Sequence, residues 1–441
     1  MLSIAIPVTL QNLLFSSFTL IDTLMIGRLG DLPLAAVGMA GKWTWFFGIV
    51  LFGFTSGAAV FIAQYFGADD EAGIHRTYGV MTIGTMAAAA VFSLLALLVP
   101  ERIIGLLSSD PEAIKTASVY LRIIALAYPF QALRRSAGTL LQSTQRVVIP
   151  FVGAVCSVVT NIVLNAVLIF GLFGFPALGV AGAAIASVIA AAVDMAVVFI
   201  GGYAKKTMLR APLSAMLDIN RDFIRQYVRI GAPAMFNETL WALGNLIYSA
   251  IYGHMGTEAY AAITVGRSIE DLTCVAIFGL GASCAVMIGS LIGQKRFEDT
   301  KRCAWYHLKL TTILSAVIGL GVVLFRTPIM SLFGVSDVVR ADASTVLMIY
   351  GFDMVMRNLP YMMVVGIFRA GGDVRFGLKM DIVAMWIYAV PVGLLAAFVL
   401  KLPPLWVYFI LCLDEFVKMP VVLLHYRTKK WLKNITRSEL D

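Results

Sequence analysis

The chain has 441 residues, 60% of them hydrophobic and 14% charged, with a mean hydropathy of +0.87. Soluble globular domains do not carry that much apolar surface, so lipid is the expected solvent for most of the chain. The formal net charge of +8 would point a soluble protein toward nucleic acid, but the basic residues sit between apolar runs, where they set membrane topology instead.

A membrane-crossing helix needs about 20 mostly apolar residues. That rule predicts spans near 3–26, 33–66, 77–100, 117–141, 147–174 and 179–203, then near 223–252, 259–293, 303–326, 344–370, 377–401 and 404–427. The expected fold class is an all-α polytopic membrane protein with twelve transmembrane helices. The first run has no basic stretch before it and no small-residue cleavage site after it, so it reads as a retained span. Asp22, the first charged side chain, lies near its end, where an ionised acid in hydrocarbon is costly.

Basic residues gather in the even-numbered connections and the tail, among them Arg134, Arg135, Arg146, Lys205, Lys206, Arg210, Lys429, Lys430, Lys433 and Arg437. The odd-numbered connections hold only Arg28, Arg102, Lys115, Arg326, Arg340 and Lys401. The positive-inside rule therefore expects both termini in the cytoplasm of a multi-pass protein of the cell (inner) membrane.

The chain also repeats itself. "GRLGDLPLAAVGMA" from Gly27 matches "GHMGTEAYAAITVG" from Gly253, an offset of 253 − 27 = 226 that also carries Pro7 to Pro233, Gly67 to Gly293 and Arg76 to Arg302. Each half holds an even number of spans, so the repeat is parallel, with a cavity expected between two pseudo-symmetric six-helix lobes. The boundaries are 1–203 for the first lobe, 204–222 for a basic cytoplasmic linker, 223–427 for the second lobe and 428–441 for the tail. Paired Pro7 and Pro233 are expected to kink the opening helix of each lobe.

Intramembrane charges are the functional candidates. Glu238 in "NETLWALGN" reads either as a lone acid for a cationic substrate or for coupling, or as a carboxyl bonded to Asn237 or a neighbouring helix. Asp353 with Arg357, four apart, and Arg267 with Glu270, three apart, suit salt bridges within their helices. Asp381 reads as a snorkelling surface charge. Trp43, Trp45 and Trp241 have polar neighbours and are the aromatic candidates for an inward face that takes flat cations. The five cysteines form no CxxC pair, the four histidines have no metal-ligand spacing, and no cluster of nucleophile, base and ligands is visible. No cofactor, no metal and no enzymatic activity are expected.

In motif order the chain resembles the prokaryotic multidrug and toxic compound extrusion (MATE) transporters. The resemblance rests on an early "IP" with an acid fifteen residues later (Pro7, Asp22), on "GRLGDLPLAAVG", on "NIVLNAVLIFG" followed by "LGVAGAAIAS", and on "GIFRAGGDVRFGLKMD". It implies antiport by alternating access, with drugs or metabolites leaving, as organic cations or amphiphiles, while protons or sodium ions enter a monomer. It also implies a cation site in the first lobe: Asp22 matches the family's first-span aspartate, Asn161 its fifth-span asparagine and Ser187 its sixth-span threonine. The family's second aspartate is Asn165 in this chain. Asn161 and Asn165 are four apart and share a helix face. One carboxylate barely neutralises sodium, whereas a protonated Asp22 needs no counter-charge in a low dielectric, which favours the proton. A flippase for lipid-linked precursors, which would need a basic cavity, and a non-coupled channel are the alternatives.

Overall fold

The computed structural model describes residues 2–108, 110–331, 333 and 335–436, apart from the side chains of Ser16, Thr19, Leu20, Asp31 and Thr257. Arg437 and the rest of the tail lie outside the described residues. Among those described, the chain is helical without strands, and its long helices follow one another as twelve segments. Segments 1 to 3 are Leu2–Gly27, Asp31–Gly67 and Glu71–Leu98. Segment 4 joins Pro111–Ile124 to Tyr128–Ser143 through a 3-10 turn; segments 5 and 6 are Val148–Phe170 and Val180–Ala204. Segments 7 to 9 are Arg221–His254, Thr257–Gly293 and Phe297–Ser331. Segment 10 runs from Asp337–Tyr361 into a π-helical stretch, Met362–Phe368; segment 11 is Val374–Val399; segment 12 joins Pro404–Cys412 to Asp414–Thr428.

A helix satisfies its own backbone polar groups, which is why apolar runs of this length adopt it in lipid. Seven of the segments, 2, 3, 5, 6, 8, 9 and 11, are long and apolar enough to cross a membrane by composition alone. Segments 4, 7, 10 and 12 carry charges that dilute their hydropathy.

The internal repeat holds in the backbone. Segments 2, 3, 4 and 5 start at residues 31, 71, 111 and 148, and segments 8, 9, 10 and 11 start at 257, 297, 337 and 374, each 226 later. The sixth pair, 180 and 404, has slipped to 224. Segments 2 and 8 both have 37 residues. Each is entered through a glycine with positive φ, Gly30 at 111° and Gly256 at 125°, a conformation that side chains resist. Each is followed by a left-handed residue, Asp69 at 54° and Lys295 at 60°.

Small residues let the helices approach closely. A Cβ on Gly182 of segment 6 would meet the Leu168 carbonyl of segment 5 at 2.5 Å, and one on Gly319 of segment 9 would run into the Gly351 carbonyl of segment 10.

The chain forms two compact units. One is Leu10–Gly231; the other holds the first turns of segment 1 through Thr9 and the chain from Ala232 onward. Segments 1 and 7 therefore each change unit close to their proline, Pro7 and Pro233. Most of the connection between segments 6 and 7 packs on the first unit: Arg76 of segment 3 holds Asp218 at 2.6 Å, and the Met216 backbone lies where Gly79 leaves no room for a Cβ. The tail returns to the second unit, where Trp431 is buried and the Lys433 amide donates to the Gly371 carbonyl at 3.0 Å.

Candidate functional site

Three segments of the first unit bring the expected polar residues together. Asn165 of segment 5 donates from Nδ2 to Asp22 Oδ1 of segment 1 and to Asn161 Oδ1 one turn earlier, both at 2.7 Å. Asn161 Nδ2 then donates to Ser187 Oγ of segment 6 at 3.1 Å. The spacing of four within segment 5 makes this chain possible, since both amides project from one face. Asn161 and Asn165 are 1% and 0% exposed, while Asp22 and Ser187 are half-buried. Asn165 spends its N–H groups on two acceptors, and its own Oδ1 is buried without a partner.

Tyr120 of segment 4 completes the set: its buried hydroxyl lies beside Ser187 and Asp22. Sequence reasoning missed it, because a tyrosine in an apolar run looks like core. The one signal was its place in "SVYLRIIALAY", where polar side chains recur on a mostly apolar helix. Below it, Arg134 of segment 4 meets Asp194 of segment 6 at 2.9 Å, with both side chains nearly buried. Nothing in the spacing of those two charges announces the pair. Trp43 packs against Phe46 and Phe92, 6.5 and 4.8 Å between ring centres, while Trp45 is half exposed.

The second unit is built on charge pairs, and here several expectations are corrected. Of the two readings of Glu238, the bond to a neighbouring helix is the one found: Arg369 at the end of segment 10 reaches its Oε1 at 2.7 Å. Its neighbour Asn237 is buried with Oδ1 unpartnered, and Trp241 is 51% exposed. The two intrahelical salt bridges are replaced by one between helices. Arg357 of segment 10 pairs with Glu270 of segment 8 at 2.6 Å. Arg267 instead donates to Ser249 Oγ at 3.0 Å and lies over the Tyr252 ring. Segments 8 and 10 pack side by side, so a guanidinium fork reaches a facing carboxylate more directly than one a turn away on its own helix. Asp353, 5% exposed, is left with Oδ1 unpartnered. Asp381 is no surface charge either: Lys418 of segment 12 holds it at 2.9 Å and Glu415 at 3.0 Å. Tyr248 donates to Asp414 at 3.2 Å.

The two units thus offer different chemistry. The first has one carboxylate in a chain of neutral donors and acceptors, able to hold or release a proton or to present several oxygens to a hard cation. Among the described residues there is no cluster of histidine, cysteine and acid ligands for a transition metal.

Comparison with known proteins agrees with this architecture. Probable multidrug resistance protein YoeA of Bacillus subtilis (strain 168) is 27% identical over 408 residues, which cover 91% of this chain and 88% of the relative. Probable multidrug resistance protein NorM of Bradyrhizobium diazoefficiens is 27% identical over 441 residues, covering 97% and 92%. In fold, the chain matches a solved structure described as "Crystal structure of MATE in the bent conformation", with a TM-score of 0.88 at 19% identity over 97% of this chain and 94% of that one. The family profile MatE matches residues 7–167 and again 233–395, one match per repeat, with starts 233 − 7 = 226 apart. With both halves matched and most of the chain covered, this protein belongs to the MatE family.

Proposed function

We propose that this protein exports organic cations or amphiphilic small molecules across the inner membrane in exchange for protons, by alternating access, with both termini in the cytoplasm. The sequence relatives carry multidrug resistance names, which supports small-molecule export. The observation that carries proton coupling is the unpartnered Oδ1 of Asn165 beside Asp22. An acceptor buried without a donor costs about 1–3 kcal/mol. A proton on Asp22 supplies an O–H next to that acceptor, and it removes a charge from a site that is largely closed to water.

Sodium suits the same residues less well. Asp22, Asn161, Asn165, Ser187 and Tyr120 present enough oxygens, but the Asn161 oxygen already accepts from Asn165. Sodium would have to break that bond and would find a single carboxylate. A flippase for lipid-linked phosphates would need several uncommitted cations, whereas Arg134, Arg357 and Arg369 each lie against an acid and Arg267 lies on Ser249 and the Tyr252 ring.

The test is reconstitution in liposomes with a fluorescent organic cation and imposed proton or sodium gradients, applied in turn. A proton gradient should drive dye movement in the native protein and fail to do so in Asp22→Asn. Dye movement indifferent to both gradients, or a fully active Asp22→Asn, would sink the reading.

A further inference from the structure

Polar side chains of the first unit meet at a second level, which proton binding at Asp22 does not use. Segment 5 carries Asn165, Asn161, Ser157 and Gly153 at successive steps of four, all of them buried. The two asparagines belong to the Asp22 site. The Ser157 hydroxyl donates across to the Ala190 carbonyl of segment 6 at 3.0 Å. One turn further along segment 6 comes Asp194, whose Oδ1 fills the space beside Gly153: a Cβ there would meet it at 2.5 Å.

Segments 1, 4, 5 and 6 thus come together twice, first at the Asp22 site and again where Phe15, Arg134, Ser157 and Asp194 lie. Asp22 follows Phe15 by seven residues and Asp194 follows Ser187 by seven, on helices that run in opposite directions, so the two levels are about 10 Å apart. Asp194 is 5% exposed. Among the described residues Arg134 is the charged group that faces it, with Nε 2.9 Å from Oδ2. The pair leaves capacity unspent: Asp194 Oδ1 and Arg134 Nη2 are buried without a hydrogen-bond partner. A buried acceptor in that condition favours any donor that reaches it. Arg134 also has a second support, the Phe15 ring centred 5.2 Å from its guanidinium carbon, which attracts the cation whether or not its acid is charged. Between the levels, Asn161 Nδ2 has a second N–H beyond its bond to Ser187, and the Ser157 oxygen keeps its lone pairs after donating.

We propose that Asp194 is the inner proton station of the first unit, taking the proton that Asp22 gives up on its way to the cytoplasm. This rests on the proton reading of Asp22 given above. The O–H bond at Asp22 breaks and its electron pair stays on that carboxylate. Water held by Asn161 and Ser157 accepts the proton and passes one on, and a lone pair of Asp194 Oδ1 forms the new O–H bond. Arg134 then loses the attraction of its acid and stays over Phe15 until Asp194 releases the proton inward. One proton has moved, and the water is left as it was.

The test compares two activities of the full-length protein in liposomes: proton-driven dye transport, and exchange of labelled for unlabelled dye without a gradient, which needs no net proton movement. Asp194→Asn with Arg134→Gln removes the pair and strands no charge. Dye exchange should persist, while proton-driven transport should slow by about 100-fold, the low end of what a positioned proton-transfer group contributes. Asp194→Asn alone, of the same size, should show the same split, and Asp194→Glu, which keeps a carboxyl beside Arg134, should recover most of the rate. Thermal unfolding confirms that each variant is folded. Native proton-driven transport in the double variant would overturn the station. So would an equal loss of exchange and driven transport, which would mark a purely structural pair. Asp22→Asn, run in parallel, separates the two readings: proton-driven transport that survives it overturns the Asp22 site and this path together, whereas loss in Asp22→Asn alone overturns only the role of Asp194.

Discussion

Positions 22 and 248 are the same place in the two repeats (248 − 22 = 226), yet one holds Asp22 and the other Tyr248. The same offset relates Thr44 to Glu270 and Gln131 to Arg357. In the first repeat Thr44 shares a neutral hydrogen bond with Tyr128 at 3.0 Å; in the second, Glu270 and Arg357 form an ion pair at 2.6 Å. One backbone plan thus supports two polar chemistries. The first unit keeps Asp22 among neutral partners and holds its other buried acid, Asp194, against Arg134. The second commits its arginines at positions 357 and 369 to acids, and its charge is set by the pairs.

Asn165→Asp is the sharpest way to break this contrast. It would place a second carboxylate beside Asp22, where two like charges share one proton or gather a cation. The expected outcome is a switch from proton-driven to sodium-stimulated dye transport in liposomes. Unchanged ion dependence would mean that the identity of residue 165 does not set the coupling ion.

The second unit is tested by removing one member of a pair. Glu270→Gln takes the facing carboxylate from Arg357, whose side chain is 31% exposed, and should cost about 1–3 kcal/mol, less than the penalty for a fully buried pair. Thermal unfolding in detergent measures it. Glu270→Gln with Arg357→Gln should recover only part of the loss, because it also removes the guanidinium one turn from buried Asp353. The matching change Thr44→Ala in the first unit should cost only about 1 kcal/mol.

Much of this architecture was readable in advance. Apolar runs located the helices, and the offset of 226 appears in helix starts as it does in the residues. Asp22, Asn161, Asn165 and Ser187 were legible from helical spacing together with the family resemblance. The second-unit pairs were not. Spacing shows which charges share a helix face, but Arg357 chooses Glu270 over Asp353 because of how segments 8 and 10 are rotated, and no local pattern encodes rotation. The positive-inside count places Arg134 in a connection, because it does not distinguish a loop arginine from one that turns back to a buried acid.

Where the two repeats agree, equal changes should have equal effects. A Cβ on Gly30 or Gly256 meets nothing within 4 Å, so only their positive φ resists substitution. Gly30→Ala and Gly256→Ala should each cost about 1–3 kcal/mol of backbone strain, read as matched drops in unfolding temperature. A large difference between them would show that the repeat has diverged in its turns as well as in its polar groups.

Ser187→Ala should have the smallest effect. It removes the acceptor at the far end of the Asp22 chain and leaves Asn161 Nδ2, which gives Ser187 a 3.1 Å bond, without that partner. The expected cost is about 1 kcal/mol, the net worth of one neutral hydrogen bond. Its value lies in separating stability from coupling. Ser187 reaches Asp22 through Asn161 and Asn165 and also adjoins Tyr120, so if these groups act as a connected unit, proton-driven transport should slow by more than the small stability change explains, and Ser187→Thr should restore it. If transport in Ser187→Ala matches the native rate, the working site ends at Asn161, and the difference between the units narrows to Asp22 and the two asparagines of segment 5.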